Sequence, residues 1–246
     1  MARRRSLSVR VWRALGFVTA GFVAACALAV LLFRWVPVPL TSFMLQDLIA
    51  AFLSQQKDHG FAHDWVAWAD ISPNAAVAVV ASEDQKFAYH LGFDVESIDK
   101  ALRDAQRGRR LRGASTISQQ VAKNLFLWPG QSWVRKGLEV WFTLLIEALW
   151  PKQRILEVYL NSAEFGRGVW GVEAASQRFF GKPAKRLGRQ EAALLAAVLP
   201  SPKRLRVDAP SPYLLRRQQW ILGQMAALGG SAYLDALEAG SEASGR

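Results

Sequence analysis

Ser72-Pro73-Asn74-Ala75-Ala76-Val77-Ala78-Val79-Val80-Ala81-Ser82-Glu83-Asp84 opens with a hydroxyl and then a proline. That pairing starts a helix: the serine oxygen caps a free backbone N–H, and proline needs no partner for the N–H it lacks. The apolar run Ala75–Ala81 carries the helix on to an end near Glu83. An acidic pair, Glu83-Asp84, therefore stands where an apolar helix runs out into a polar loop holding His90 and Asp94. A carboxyl group against an apolar wall has a raised pKa, which suits proton transfer; on composition alone, an acidic surface turn is the alternative.

Working outward, Ser132 caps a long apolar helix that runs to Trp150 and is stopped by Pro151. Further helices are predicted over 152–160, 172–180, 189–199, 212–228 and 231–239, with Gly181 and Gly229-Gly230 ending two of them. Residues 37–71 are loosely patterned, with amphipathic character between Leu45 and Leu53. Lys100, Arg103, Arg107, Arg109, Arg110 and Arg112, around Gly108 and Gly113, read as a solvated loop. Period-two strands are scarce, so the fold class is mostly α, with no internal repeat. Gly166-Arg167-Gly168-Val169-Trp170-Gly171 fits a dinucleotide fingerprint but follows no strand, so it reads as turns. Ser97-Ile98-Asp99-Lys100 lacks the second motif of a serine-acylating enzyme, and His59 and His63 lack the glutamate of a zinc helix.

The chain has 246 residues, room for one ordinary domain plus an anchor. Its 51% hydrophobic content and ten tryptophans exclude a disordered chain, and the single cysteine, Cys26, excludes a disulfide framework. Ala14–Phe33 are twenty uncharged residues, enough to cross a hydrocarbon core of roughly 30 Å. Five arginines precede this run and Arg34 follows it, which leaves the N-terminus in the cytoplasm and all that follows Arg34 outside. A cleaved signal peptide would have a shorter apolar run and a small-residue cleavage site. Six arginines and no acid lie in residues 1–36; the remainder has 25 basic and 20 acidic residues, too little excess for nucleic-acid binding.

Two further segments could carry chemistry. If Ser115–Asn124 is helical, Thr116, Gln119, Gln120, Lys123 and Asn124 share one face. Hydroxyl, amides and an ammonium suit sugar hydroxyls and a phosphate, whereas a solvated face would be rich in Glu and Lys. Arg135, Lys136 and Glu139 lie on the first turns of the Ser132 helix. They are either an ordinary helical ion pair or a carboxylate held by cations near an anionic leaving group.

Five stretches in order together resemble the peptidoglycan glycosyltransferase module of class A penicillin-binding proteins: Glu83–Asp94, Gly113–Asn124, Arg135–Glu139, Lys152–Asn161 and Arg216–Leu222. The likeness covers residues 65–230 and looks like the monofunctional biosynthetic form of Gram-negative bacteria. It implies a lysozyme-like, two-lobed fold, a head and a smaller membrane-dipping lobe, that polymerises lipid II and releases undecaprenyl pyrophosphate. The implied layout is a cytoplasmic tail over 1–13, a transmembrane helix over 14–36, a membrane-proximal segment over 37–64, the catalytic domain over 65–230, and a C-terminal helix and frayed tail over 231–246. A single-pass inner-membrane protein with a periplasmic catalytic domain follows, with lipid II and the lipid-linked growing glycan as partners and other wall-synthesis and division proteins as further candidates.

By position, the resemblance makes Glu83 the general base and places Glu139 at the leaving pyrophosphate, directly or through a divalent ion. Mg2+ or Mn2+ is compatible with this role, but no cofactor is obligatory. Asp84, His90, Ser115, Thr116, Gln119, Gln120, Lys123, Asn124, Arg135 and Lys136 become substrate-binding residues. Gln131 stands where members often carry a phosphate-binding arginine. Two other readings remain open: a lysozyme-like glycan hydrolase or lytic transglycosylase using Glu83 as an acid, and an inactive membrane-anchored scaffold. For Trp128, Trp133, Trp141 and Trp150, core packing is expected ahead of membrane contact.

Overall fold

The computed structural model describes residues 7–54, 60–107, 115–130, 132–235 and 237. Most of them are helical. The anchor α1 spans Leu7–Phe33 and α2 spans Ser42–Leu53; α3, Pro73–Glu83, is the helix whose start Ser72 and Pro73 announce. Next come α4 (Val95–Gln106), α5 (Ile117–Phe126), α6 (Trp133–Leu149) and α7 (Lys152–Ser162). The chain closes with α8 (Val172–Phe180), α9 (Arg189–Val198) and α10 (Pro212–Ala227). Three very short strands, β1 (Ala62–His63), β2 (Glu164–Gly166) and β3 (Val169–Trp170), form one sheet in the order β1-β3-β2. The glycine-rich stretch is the β2–β3 hairpin: Gly168 and Gly171 hold φ of 70° and 84°, left-handed values that glycine adopts freely.

Two expectations change. The helix α4 replaces the front half of the predicted basic loop, because Asp94 caps it through Ser97 N (3.0 Å) and Arg103 pairs with Asp99 one turn earlier. Arg109, Arg110, Arg112 and His59 lie outside the described residues. The last predicted helix is seen over 232–235 and at 237. Of the four tryptophans, Trp150 is buried, whereas Trp128 and Trp133 are exposed (45% and 92%) and core packing does not hold for them.

The helices gather into two groups. In the first, α9 and α10 pack against α3, whose residues Ala75–Ala81 are all buried. Alanine and valine let three backbones approach closely there. In the second, α5 packs between α6 and α7, and α7 touches α3, so the groups share a wall. This mostly α, two-group arrangement is the expected architecture. The C-terminal end of α3 emerges where they meet.

The anchor is joined firmly to the domain, and the helix begins at Leu7, ahead of the predicted Ala14. Cys26 and Val30 of α1 are buried, and Trp150 Nε1 donates to the Val30 carbonyl at 2.7 Å. Arg154, itself buried, donates to the carbonyls of Phe33 (2.8 Å) and Val36 (2.7 Å), satisfying orphan groups at the helix end. Beyond Arg34 the chain turns into α2, which docks on α5 through Ser42 Oγ to the Leu127 carbonyl (2.6 Å).

Lys203 ties α2 to the hairpin, lying 2.8 Å from Asp47 and 3.8 Å from Glu164. Burial raises the Glu164 pKa to about 7 and the Asp47 charge adds to the rise, while Lys203, the Gly168 N–H and Arg167 oppose it. The folded value lies above the unfolded one, so the ionised carboxylate costs stability that is absent below about pH 4.5 and complete above about pH 7. Glu164→Gln is therefore expected to raise the unfolding midpoint at pH 8 and leave it unchanged at pH 4. A shift of this size corresponds to at most about 3 kcal/mol. Thermal scans of detergent-solubilised protein at the two pH values check the sign.

Candidate active site

The last turn of α3 delivers Glu83 to the edge of a cavity of about 250 Å3, lined also by Ser82, Asp84, Lys86, Asp94, Ser97, Ser115 and Thr116. The Glu83 carboxylate is 15% exposed and does not face an apolar wall. Ser82 Oγ donates to Oε1 (3.0 Å), Gln120 Nε2 donates to Oε2 (3.2 Å), and the Arg217 guanidinium lies 3.5 Å away. Arg217 comes from α10 and also donates to Ser82 Oγ at 2.9 Å. Glu83 is thus fixed from three elements.

Asp84 borders the same cavity, but its carboxylate turns into the protein. Its carboxylate accepts from His90 Nε2 (2.9 Å) and from the Ile117 N–H at the start of α5 (3.0 Å). The Gly92 N–H donates to His90 Nδ1 (3.1 Å), so the proton of the neutral ring sits on Nε2 and points at Asp84. Lys152 supports this corner from below, donating to the His90 carbonyl (2.6 Å) and to Glu147 (2.8 Å) over the face of Phe87. Burial lowers the Lys152 pKa, against the pull of Glu147 and Asp84.

On α5 the predicted polar face divides. Thr116 Oγ1 accepts from the Gln119 N–H and donates to the Gly92 carbonyl, while Gln119 Oε1 accepts from the Thr116 N–H (3.0 Å). This capping box engages Thr116 Oγ1 and Gln119 Oε1, and both side chains are buried. The shared face therefore narrows to Gln120, Lys123 and Asn124, all half-buried; Ser115 is exposed at the cavity edge. Gln120 is oriented from behind: Tyr159 OH donates to its Oε1 at 3.2 Å, which leaves Nε2 for Glu83. Burial, with the charges of Glu83 and Asp84, pushes the Tyr159 hydroxyl well above its ordinary pKa, so it stays a donor.

On α6, Glu139 is buried and both its oxygens are taken, Oε2 by Arg135 (2.9 Å) and Oε1 by Lys136. The helical ion pair is real, and it is also part of a larger basic cluster. Lys123 of α5 faces Glu139 and Glu83 and feels the repulsion of Arg135 and Lys136. Burial is the main cause that lowers its pKa, and the two carboxylates only partly restore it. Phe43 of α2 packs its ring 5.5 Å from the ammonium. An anion placed here would meet three cations, one of them desolvated, the setting in which charge stabilisation is strongest.

A transglycosylase family model matches residues 49–226, which include every polar side chain of this site. The chain belongs to the transglycosylase family. It is 54% identical over 231 residues to a protein of Salmonella schwarzengrund named biosynthetic peptidoglycan transglycosylase, covering 94% of this chain and 93% of that one. Proteins of the same name from Pseudomonas entomophila (52% over 234 residues; 95% and 97% covered) and Yersinia pseudotuberculosis (53% over 233; 94% and 96%) are similarly close.

Two partners of the transglycosylase site carried no expected role in the sequence. Tyr159 and Arg217 both stand inside stretches that carry the family likeness, yet neither looks catalytic by type or spacing. A buried tyrosine in an apolar helix and an arginine in a basic one give no local signal, because their partners are 39 and 134 or more residues away. Gln131 lies outside the described residues.

Proposed function

We propose that the chain is a peptidoglycan glycosyltransferase that polymerises lipid II into β-1,4-linked glycan by inversion at the anomeric carbon. The observation that carries this reading is the contrast between its two carboxylates. Glu83 sits open at a cavity edge among neutral donors and one arginine; Glu139 is sealed within a cluster of cations. Glu83 takes the proton of the acceptor 4-hydroxyl while that oxygen bonds to the anomeric carbon from the face opposite the pyrophosphate. The bond to the pyrophosphate breaks as the new one forms, with no sugar–enzyme intermediate. Negative charge then grows on the leaving oxygens, where Lys123, Arg135 and Lys136 stabilise it and Glu139 keeps the two α6 cations in place. A hydrolase acting on finished glycan would have no use for that cluster.

The side chains do not fit a resident divalent ion. Both Glu139 oxygens already accept from cations, and no group of three His, Cys, Asp or Glu among the described residues could hold a metal. The apolar helix α1 supports membrane anchoring, and its flanking arginines support an inner-membrane protein with a cytoplasmic N-terminus and a periplasmic catalytic domain.

Labelled lipid II incubated with detergent-purified protein should yield polymer that lysozyme digests. Absence of polymer across detergents would favour a scaffold, and cleavage of finished glycan would favour a hydrolase. Tyr159→Phe tests the support of Gln120. Losing one neutral hydrogen bond frees the amide to rotate away from Glu83, and turnover should fall about three- to tenfold with an unchanged unfolding midpoint. Turnover equal to wild type would remove Tyr159 from the site.

A further inference from the structure

Tyr213, Arg217, Trp220 and Gln224 follow one another on α10 at spacings of four, three and four residues, so they share one face of the helix. This face flanks the end of α3. Arg217 lies 3.5 Å from Glu83 and donates to Ser82 Oγ, and Gln224 Oε1 accepts from Gln85 Nε2 at 3.0 Å. Gln85 itself lines the cavity that holds Glu83, whereas Tyr213 and Trp220 lie outside that lining. The stripe is therefore continuous with the active site and extends beyond it. Its two aromatic rings are open to solvent, Tyr213 at 54% and Trp220 at 47% exposure. The Arg217 guanidinium is 6.0 Å from the centre of the Trp220 ring, which places that ring one turn beyond the contact with Glu83.

The chemistry of the stripe selects its ligand. Sugar rings present flat C–H faces edged by hydroxyls, and aromatic faces set among amide groups meet both. Gln224 spends its Oε1 on Gln85, which leaves Nε2 to donate to a hydroxyl. Trp220 follows Tyr213 by seven residues, a rise of about 10 Å along the helix axis. That rise is close to the length of one disaccharide unit in a β-1,4-linked glycan. The exposed residues Leu45, Ile49, Phe52 and Leu53 of α2 are by contrast all apolar and follow the apolar helix α1, a composition suited to lipid. We infer that the Tyr213/Trp220/Gln224 stripe of α10 is a binding platform for a glycan strand outside the catalytic cavity. Trp220 stacks on a sugar ring there, and Gln224 bonds its hydroxyls. A strand gripped on this platform stays beside Glu83 between additions, so the platform lengthens the product. That consequence rests on the proposed polymerase activity; glycan binding by the stripe does not.

The full-length protein in a neutral detergent would be titrated calorimetrically with a soluble β-1,4-linked N-acetylglucosamine oligosaccharide. Wild type should bind it, and Trp220→Leu should weaken binding roughly tenfold, the loss of one stacked ring. Trp220→Phe keeps a flat face and should recover most of the affinity. Leu215→Ala, at an exposed position on the opposite flank of α10, should bind as wild type does. No binding by wild type would overturn the platform, as would equal affinity in wild type and Trp220→Leu. Trp220→Phe as weak as Trp220→Leu would remove stacking as the cause and overturn it too. An unfolding midpoint equal to wild type separates loss of binding from loss of folding, and Tyr213→Leu, in the first turn of α10, tests the same stripe independently and should also weaken binding. With labelled lipid II, Trp220→Leu should make shorter strands than wild type, and strands of equal length would overturn the role in elongation. Absence of polymer from wild type would defeat the proposed activity and leave the binding result standing.

Discussion

Glu83→Gln is expected to reduce lipid II polymerisation by about a thousandfold, within the range a lost general base produces. The protein itself should remain folded. The amide oxygen still accepts from Gln120 Nε2, while the amide nitrogen donates to Ser82 Oγ, whose own proton then goes to the Ala196 carbonyl, so both neutral partners of Glu83 remain engaged. Only the 3.5 Å contact with Arg217 loses its charge partner, and that side chain keeps its bond to Ser82. The substitution therefore removes the proton acceptor and little else. Polymer formation measured beside an unfolding scan separates the two effects. A variant retaining a tenth or more of wild-type turnover would sink the assignment of Glu83 as the base, and a collapsed midpoint would show that its role is structural.

Asp84→Ala is expected to act on both stability and turnover. The Asp84 side chain is 3% exposed, and its carboxylate joins the end of α3, His90 and the first N–H of α5. Truncation leaves the Ile117 N–H and the His90 ring proton buried without acceptors, which costs about 3 kcal/mol for hydrogen bonds to a charged group. For a domain of this size the midpoint should drop by roughly 6–12 °C. Turnover should fall further than stability alone dictates, because α5 carries Gln120 and Lys123 on the same turns that Asp84 anchors. Asp84→Asn keeps one acceptor oxygen and should recover about half of the midpoint loss. An alanine variant with a wild-type midpoint would show that α5 is held by its own capping box alone.

The pairing of these two neighbours shows what the chain order hides. Glu83 and Asp84 are adjacent and chemically alike, yet one faces a cavity and the other the interior. The difference arises where α3 ends: Glu83 is its last helical residue and Asp84 its C-cap, with φ of −160° and ψ of 74°. One change of backbone direction sends the two carboxylates to different environments.

Local physics made much of the architecture legible. Ser72-Pro73, Ser132 and Gly181 mark helix ends because a cap acts within three residues of itself, and those boundaries appear where they are expected. The Arg135–Glu139 pair was readable for the same reason, since residues four apart meet on any α-helix. The apolar run of the anchor needs no tertiary partner to be recognised. Periodicity, by contrast, grouped Thr116, Gln119, Gln120 and Lys123 on one face without saying where it looks. Packing of α5 between α6 and α7 decided that the first two close a cap while the others meet Glu83 and Glu139. Arg217 reaches Ser82 and Glu83 only because α10 lies against α3. Contacts across such separations are set by the burial of apolar helix faces, which the spacing of polar residues along the chain does not encode.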